Sequence, residues 1–225
     1  MTIKDRKHWA SKSEAANDEV KDLVEEMVDW VILNRQQAAY AVGGVAAVAL
    51  IAGFFLYSRQ ARANAAWDKL SQAELMAYSG RVPDAQALLG QVGTDSGASR
   101  TAAAYADIMS GDLHYPHGEI DQALASYDKA AAEAPDALRP YALADKVMAL
   151  SAAGKNAECA AAAQSFLETT PEHLMAAQVH VALARSQMAL GQNDAAKATL
   201  QRISLQYPNT PWAQWASARL QTPPK

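Results

Sequence analysis

The sequence predicts an all-α chain: a single N-terminal transmembrane helix, then an α-solenoid of about four helical hairpins plus a C-terminal capping helix. Three observations carry this expectation. An uncharged run, AAYAVGGVAAVALIAGFFLY, fills Ala38 to Tyr57. Glycines recur downstream at Gly80, Gly118, Gly154 and Gly191, with similar residues at fixed offsets after each. The chain is 50% hydrophobic but only 7% aromatic, and alanine prevails, which favours helix over sheet. The expected boundaries are a charged tail over 1–36, a transmembrane helix over 37–58 and a helical repeat domain over 59–225.

Within the tail, Asp18 to Ile32 reads as an amphipathic helix. Val20, Leu23, Val24, Met27, Val28 and Val31 recur at helical spacing, with Glu19, Asp22, Glu25, Glu26 and Asp29 on the other side. So acidic a helix is not drawn to an anionic lipid surface. It fits either a basic partner or a solvated extension of the helix that follows.

The apolar run is long enough to cross a bilayer: twenty helical residues span roughly 30 Å. Trp30, Tyr40 and Tyr57 lie near its ends, where aromatic rings favour the interface, and Arg35, Arg59 and Arg62 bracket it. A buried core helix and a cleaved signal peptide are the alternatives. Ala61-Arg62-Ala63 and Ala63-Asn64-Ala65 resemble cleavage sites, but the preceding tail is long and acidic. Flanking charge leaves orientation open. Lys21 and Arg35 precede the run, against Arg59, Arg62 and Lys69 after it, whereas Lys4, Arg6, Lys7 and Lys12 of the whole tail reverse the balance. Ala39, Gly43 and Ala47 fall four apart on one face, as do Ala49 and Gly53. Such spacing lets membrane helices approach closely and makes a homo-oligomer possible.

The repeats are read by offset from each glycine. Gly80 is followed by Ala85, Leu89 and Val92. Gly118 is followed by Ala123, Tyr127, Ala130 and Pro135. Gly154 is followed by Cys159, Ala163, Phe166 and Pro171, and Gly191 by Ala196, Leu200, Ile203 and Pro208. Seven residues before the glycines stand Ala73, Gly111, Val147 and Ala184. Glycine ends a first helix by adopting a left-handed conformation; the small residue after it lets the second helix pack close; the proline stops that helix. One hairpin cannot bury its own apolar face, so neighbours must stack.

This pattern resembles the tetratricopeptide repeat, best over Ala104 to Asp136, with the likeness extending over about Ala66 to Leu220. Val147 stands where a small residue is expected and Ala163 where a bulky one is. The resemblance implies a concave groove lined by the first helix of each repeat, which binds peptides or partner proteins. Carried over by helical spacing, the groove residues are Tyr105, Ile108, Asp112 and Tyr115, then Tyr141, Ala144 and Met148, then Gln178, Val181, Arg185 and Met188. Packing between adjacent helices is the other reading of the same residues. The segment TPWAQWASARL, with Trp212 and Trp215, looks like a capping helix.

Catalytic and metal-binding chemistry finds little support. His114 and His117 could grip a metal, but Pro116 and Gly118 mark a helix end there. Only Asp112 and Glu119 stand near enough to complete the three or four ligands that zinc needs. Phosphate loops, nucleophile elbows and HExxH signatures are missing. Cys159 takes the close-packing alanine position of its repeat and reads as a buried thiol. A net charge of −4 without a basic block makes nucleic acid an unsuitable partner. The chain is therefore expected to be no enzyme and to need no cofactor and no metal.

A charged tail, one apolar helix and an alanine-rich region of degenerate repeats together resemble the YfgM-like family of ancillary SecYEG translocon subunits. That resemblance implies a single-pass protein of the bacterial inner membrane, with a cytoplasmic N-terminus and a periplasmic repeat domain. It implies Sec translocon subunits, periplasmic chaperones or client polypeptides as partners, and a role in protein translocation. A structural scaffold for another cell-envelope complex is the alternative. The stretch YPNTPWAQWA also resembles a turn of Tol-Pal coiled-coil and outer-membrane assembly lipoproteins, which lack such an apolar span.

Overall fold

The computed structural model describes residues 21–22, 24–95 and 97–221. The tail charges Lys4, Arg6, Lys7 and Lys12, the expected helix start at Asp18, and the apolar Val20 and Leu23 lie outside the described residues. The chain divides into two units, Met1–Ser58 and Arg59–Lys225.

In the first unit a helix over residues 24–33 (α1) carries Val24, Met27, Val28 and Val31 of the expected apolar face, all exposed, with Ile32 exposed beside them. Its last turn passes Asn34, whose side chain donates to the Trp30 carbonyl, into α2, Arg35–Tyr78. Within α2 the most apolar 18-residue stretch has a mean hydropathy of 2.1 and none of it is buried. Length and composition suit a membrane span, and a signal sequence meets the same two criteria. Ala39, Gly43 and Ala47 are exposed along this run.

The second unit takes in α2 from Arg59 onward and the helices α3 (Val82–Thr94), α4 (Arg100–His114), α5 (Ile120–Glu133), α6 (Arg139–Ala152), α7 (Asn156–Thr169), α8 (Ala176–Ala189), α9 (Asn193–Gln206) and α10 (Pro211–Gln221). Among the described residues there is no strand. Consecutive helices pair as four hairpins, α2/α3, α4/α5, α6/α7 and α8/α9, and α10 packs on α8 and α9.

One turn geometry closes all four hairpins. Gly80, Gly118, Gly154 and Gly191 have φ of 80°, 77°, 67° and 70°, and a Cβ at any of them would meet open space. Backbone conformation, and not crowding, is what calls for glycine here. Each glycine N–H donates to the carbonyl three residues back. The next residue donates five back, as in Arg81 to Met76, Glu119 to His114, Lys155 to Leu150 and Gln192 to Gln187. This is the Schellman closure, repeated in one register. Those next residues share an N-cap conformation with ψ of 55°, 58°, 61° and 61°, so the returning helix leaves each turn at a similar angle.

The positions after each glycine then fall inside. Ala85, Leu89 and Val92, Ala123, Tyr127 and Ala130, Cys159, Ala163 and Phe166, and Ala196, Leu200 and Ile203 are all buried. The two departures from the repeat pattern have a steric reason. The residue seven before a glycine and the one nine after it form the pairs Ala73/Leu89, Gly111/Tyr127, Val147/Ala163 and Ala184/Leu200. In three of them a small residue meets a large one. At Val147/Ala163 the sizes are exchanged, and both lie in one buried cluster with Cys159 and Phe166. Gly111 has no side chain because the Tyr127 ring lies against it; a Cβ there would stand 2.7 Å from Cζ.

Local caps set the remaining joints. Ser99 Oγ accepts from the Ala102 N–H at the start of α4. Asn209 turns left-handed at φ 62°, and Thr210 Oγ1 donates to the Tyr207 carbonyl and accepts from the Ala213 N–H, so YPNTPW launches α10. Lys129 donates to Asp107 Oδ1 at 2.9 Å and to the Gly93 carbonyl, tying α5 to α4 and α3.

Candidate functional site

The first helices of the last hairpins line an open groove of about 540 Å³. Tyr115 enters from the end of α4; Met148, Ser151 and Ala152 from α6; Gln178, Val181 and Arg185 from α8; and Trp212 from the capping helix. The i, i+3, i+4 spacing of α8 brings Gln178, Val181 and Arg185 to one face, and Met148 and Ser151 stand one turn apart on α6. The lining is mixed: the amides of Asn156 and Gln178, the hydroxyls of Tyr115 and Ser151 and the Arg185 guanidinium stand among Met148, Val181, Trp212 and alanines.

The expected groove residues divide. Tyr115, Met148, Gln178, Val181 and Arg185 meet in this groove. Ile108 does not: it is 7% exposed and packs with Ala130 and Ala142, filling the joint between α4, α5 and α6. Ala144 is fully buried in the α6/α7/α8 cluster. Tyr141 is half-buried, its ring edge-on to His173 at 4.8 Å. Met188 packs against the α8/α9/α10 cluster with Trp212 and Trp215. Tyr105 is exposed and lies 6.1 Å from the Trp67 ring. The expected inward face of each first helix is thus turned partly toward its neighbour, which is the helix-packing alternative realised at Ile108 and Ala144.

Asp112, one of the expected groove residues, is not in this lining, and neither is Asp145, a residue absent from the expected set. Asp112 is one turn before Tyr115, and Asp145 one turn before Met148. The Tyr127 hydroxyl, reaching through from α5, donates to Asp112 Oδ1 at 2.8 Å. Burial, aided by the charge on Asp112, pushes the Asp145 carboxyl up to about 7. Burial raises Asp112 too, against the pull of the Tyr127 hydrogen bond. The Tyr127 phenol is raised by its own burial and by both carboxylates. The sequence signal for Asp145 is its place between Tyr141 and Met148 on one helical face.

At the opening between α4 and α5, Tyr115–His117 forms a single 3-10 turn ending in Gly118. His114 pairs with Glu119 and also lies 3.2 Å from Gln86 Nε2, so its ring belongs to a hairpin closure. Among the described residues no three His, Cys, Asp or Glu side chains converge to hold a metal. Cys159 is buried, its thiol 3.5 Å from the Val147 carbonyl and pushed up by burial, which suits packing and not nucleophilic chemistry.

Comparison with known proteins agrees with this geometry. The tetratricopeptide repeat family profile matches residues 150–221, from the end of α6 through α10. No curated protein sequence matches the chain. Among solved structures, a Podosopora anserina protein assigned as a kinesin light chain with nearly identical TPR-like repeats superposes with a TM-score of 0.54 at 17% identity. A point variant of it gives 0.55 at 18%. Each match covers 68% of this chain and 82% of the other. At such identity the likeness is one of fold. Tetratricopeptide-like solenoids are typically non-enzymatic scaffolds that bind proteins on their concave surfaces. The helical unit from Arg59 onward is a tetratricopeptide-like α-solenoid with a profile-matched repeat region at its C-terminal end.

Proposed function

We propose that this chain is a membrane-anchored, non-enzymatic protein-binding module whose groove holds a client or partner polypeptide, working beside the Sec translocon or periplasmic chaperones at a bacterial inner membrane. The groove of about 540 Å³ carries the reading. Its lining of Met148, Val181 and Trp212 offers adaptable apolar contact, while Gln178 and Ser151 can pair with a peptide backbone. The bare apolar stretch of α2, with mean hydropathy 2.1, supports anchoring. A cytoplasmic N-terminus, a periplasmic repeat domain and the translocon itself rest on the resemblance in chain arrangement alone. Self-association through Ala39, Gly43 and Ala47 belongs to the same reading.

A photo-crosslinking amino acid at Gln178, in cells, tests the groove. Many short unfolded segments on Gln178 support client binding; one folded partner in fixed ratio supports the scaffold alternative; no protein adduct refutes the module. A reporter fused after Lys225 tests placement, and a cytoplasmic signal would overturn the translocon assignment. Cysteines at 39, 43 and 47 that fail to crosslink between copies would remove the self-association.

A further inference from the structure

Among the described residues nothing covers the apolar side of α1. Val24, Met27, Val28, Val31 and Ile32 are 45–67% exposed and border a shallow hollow of about 280 Å³. In a folded protein an apolar stripe at this spacing faces a neighbour. One edge of the stripe is acidic. Glu25 and Asp29 each follow a valine of the stripe, so they form a row beside Val24 and Val28, with Asp22 and Glu26 in a second row behind. All four carboxylates are exposed, and Lys21 is the only basic residue over 21–33. This charge pattern selects among the surfaces that cover apolar stripes. An anionic lipid surface repels the acidic edge. A second copy of the helix brings the same four carboxylates and, over 21–33, no cation but Lys21 to meet them. A basic amphipathic helix satisfies the stripe and its edge together.

We propose that α1 docks an amphipathic helix of a partner protein that carries lysine or arginine along one edge of its apolar stripe. Apolar side chains of that helix pack on Val24, Val28 and Val31. One of them enters the hollow beside Met27, whose thioether adapts to the shape it meets. The cations lie along Glu25 and Asp29. Apolar contact supplies most of the affinity, because exposed ion pairs contribute little each. The carboxylates select the partner and speed its approach, and salt weakens both effects. This surface belongs to the first unit, and the proposal stands or falls without the groove.

The test uses the full chain in phosphatidylcholine nanodiscs and a fluorescent helical peptide of about eighteen residues, or five turns. The peptide carries leucine at helical spacing and lysine along one edge; a second peptide has glutamine for each lysine. Anisotropy, read against empty nanodiscs, is expected to show the lysine peptide binding about three- to tenfold tighter at low salt, the share of two exposed ion pairs. Sodium chloride at about 0.5 M, or the Glu25→Gln/Asp29→Asn variant, is expected to erase that preference while the glutamine peptide binds as before. Val24→Ser/Val28→Ser is expected to lose both peptides. All four of these side chains are exposed, so neither variant threatens the fold. Equal affinities, a preference or binding that survives the variants, or signals no greater than those of empty nanodiscs overturn the proposal. A Val28→Cys thiol is expected to react with a water-soluble maleimide and to be shielded by the lysine peptide. A thiol that resists the reagent before any peptide is added is already covered by lipid or by a second copy, and overturns the assignment as well.

Discussion

Replacing Asp145 by asparagine is expected to stabilise the protein, increasingly as pH rises above about 4 and fully once it passes 7. The carboxyl titrates at about 7 in the folded chain and at 3.8 ordinarily. Because the folded value is the higher one, the native state holds a proton that the unfolded state has lost between those limits. Stability from this group is complete below pH 3.8 and drains away as pH rises through 7. Each tenfold change in proton affinity is worth about 1.4 kcal/mol, so the gap between the two values sets a ceiling of about 4 kcal/mol. The side chain is only partly covered, so solvent screening lowers the expected gain to about 1–2 kcal/mol at pH 8. Asparagine keeps the shape and removes the charge. In a solenoid of this size that gain corresponds to a rise in melting temperature of about 2–8 °C. Thermal unfolding followed by tryptophan fluorescence, for parent and variant at pH 4 and pH 8, reads it directly. The two curves are expected to coincide at pH 4 and separate at pH 8. A variant no more stable than the parent at pH 8 would refute the claim that the Asp145 charge is buried at a cost.

Three other outcomes follow from named contacts. His180 is 4% exposed and its imidazole is pushed down to about 4, chiefly by burial and then by Arg202. Its stabilising neutral form is complete above pH 6.5 and lost as pH falls toward 4, by up to about 3 kcal/mol, and His180→Gln is expected to flatten that acid limb in urea titrations. Gly118→Ala should cost about 1 kcal/mol from backbone strain alone, and Gly118→Asn less, because a Cβ at this left-handed site meets nothing. Gly111→Ala should cost about 1–3 kcal/mol by driving Cβ into the Tyr127 ring, and adding Tyr127→Leu should recover most of it by restoring the Ala/Leu pairing found at Ala73/Leu89 and Ala184/Leu200. Full cost in the double variant would show that the small–large exchange is not what sets this joint.

The hairpins are legible because they are written in local rules. A left-handed glycine, a small residue five positions on and bulky ones after it act within one turn and one helix, and all four sets lie where those rules put them. Val147 and Ala163 look like departures when each is judged against a position and not against its counterpart across the hairpin. The groove is harder to read. Helical spacing selects a face, but neighbouring stripes on an α-helix are only about 40–60° apart. Whether Ile108 or Asp112, Ala144 or Asp145, turns to solvent depends on how far the next hairpin is rotated, and no short segment encodes that rotation. By sequence Trp212 belongs to the cap alone, and its place in the groove follows from the docking of α10 on α8 and α9.

The Asp112–Tyr127 contact arises where the repeat departs from itself. At the position nine after the glycine the four hairpins carry Leu89, Tyr127, Ala163 and Leu200. Only Tyr127 has a polar atom to extend past the helix it packs against. Its ring can lie so deep, with 2% exposure, because Gly111 vacates the space a Cβ would occupy. From there its hydroxyl reaches Asp112, and Asp112 in turn bears on Asp145 across the next hairpin. The missing methyl at Gly111 therefore lies at the start of a chain that runs through the Tyr127 hydroxyl to Asp112, whose charge reaches Asp145. The uniform turns build the solenoid, and this one exchange of small for large distinguishes a stretch of its surface from the repeats on either side.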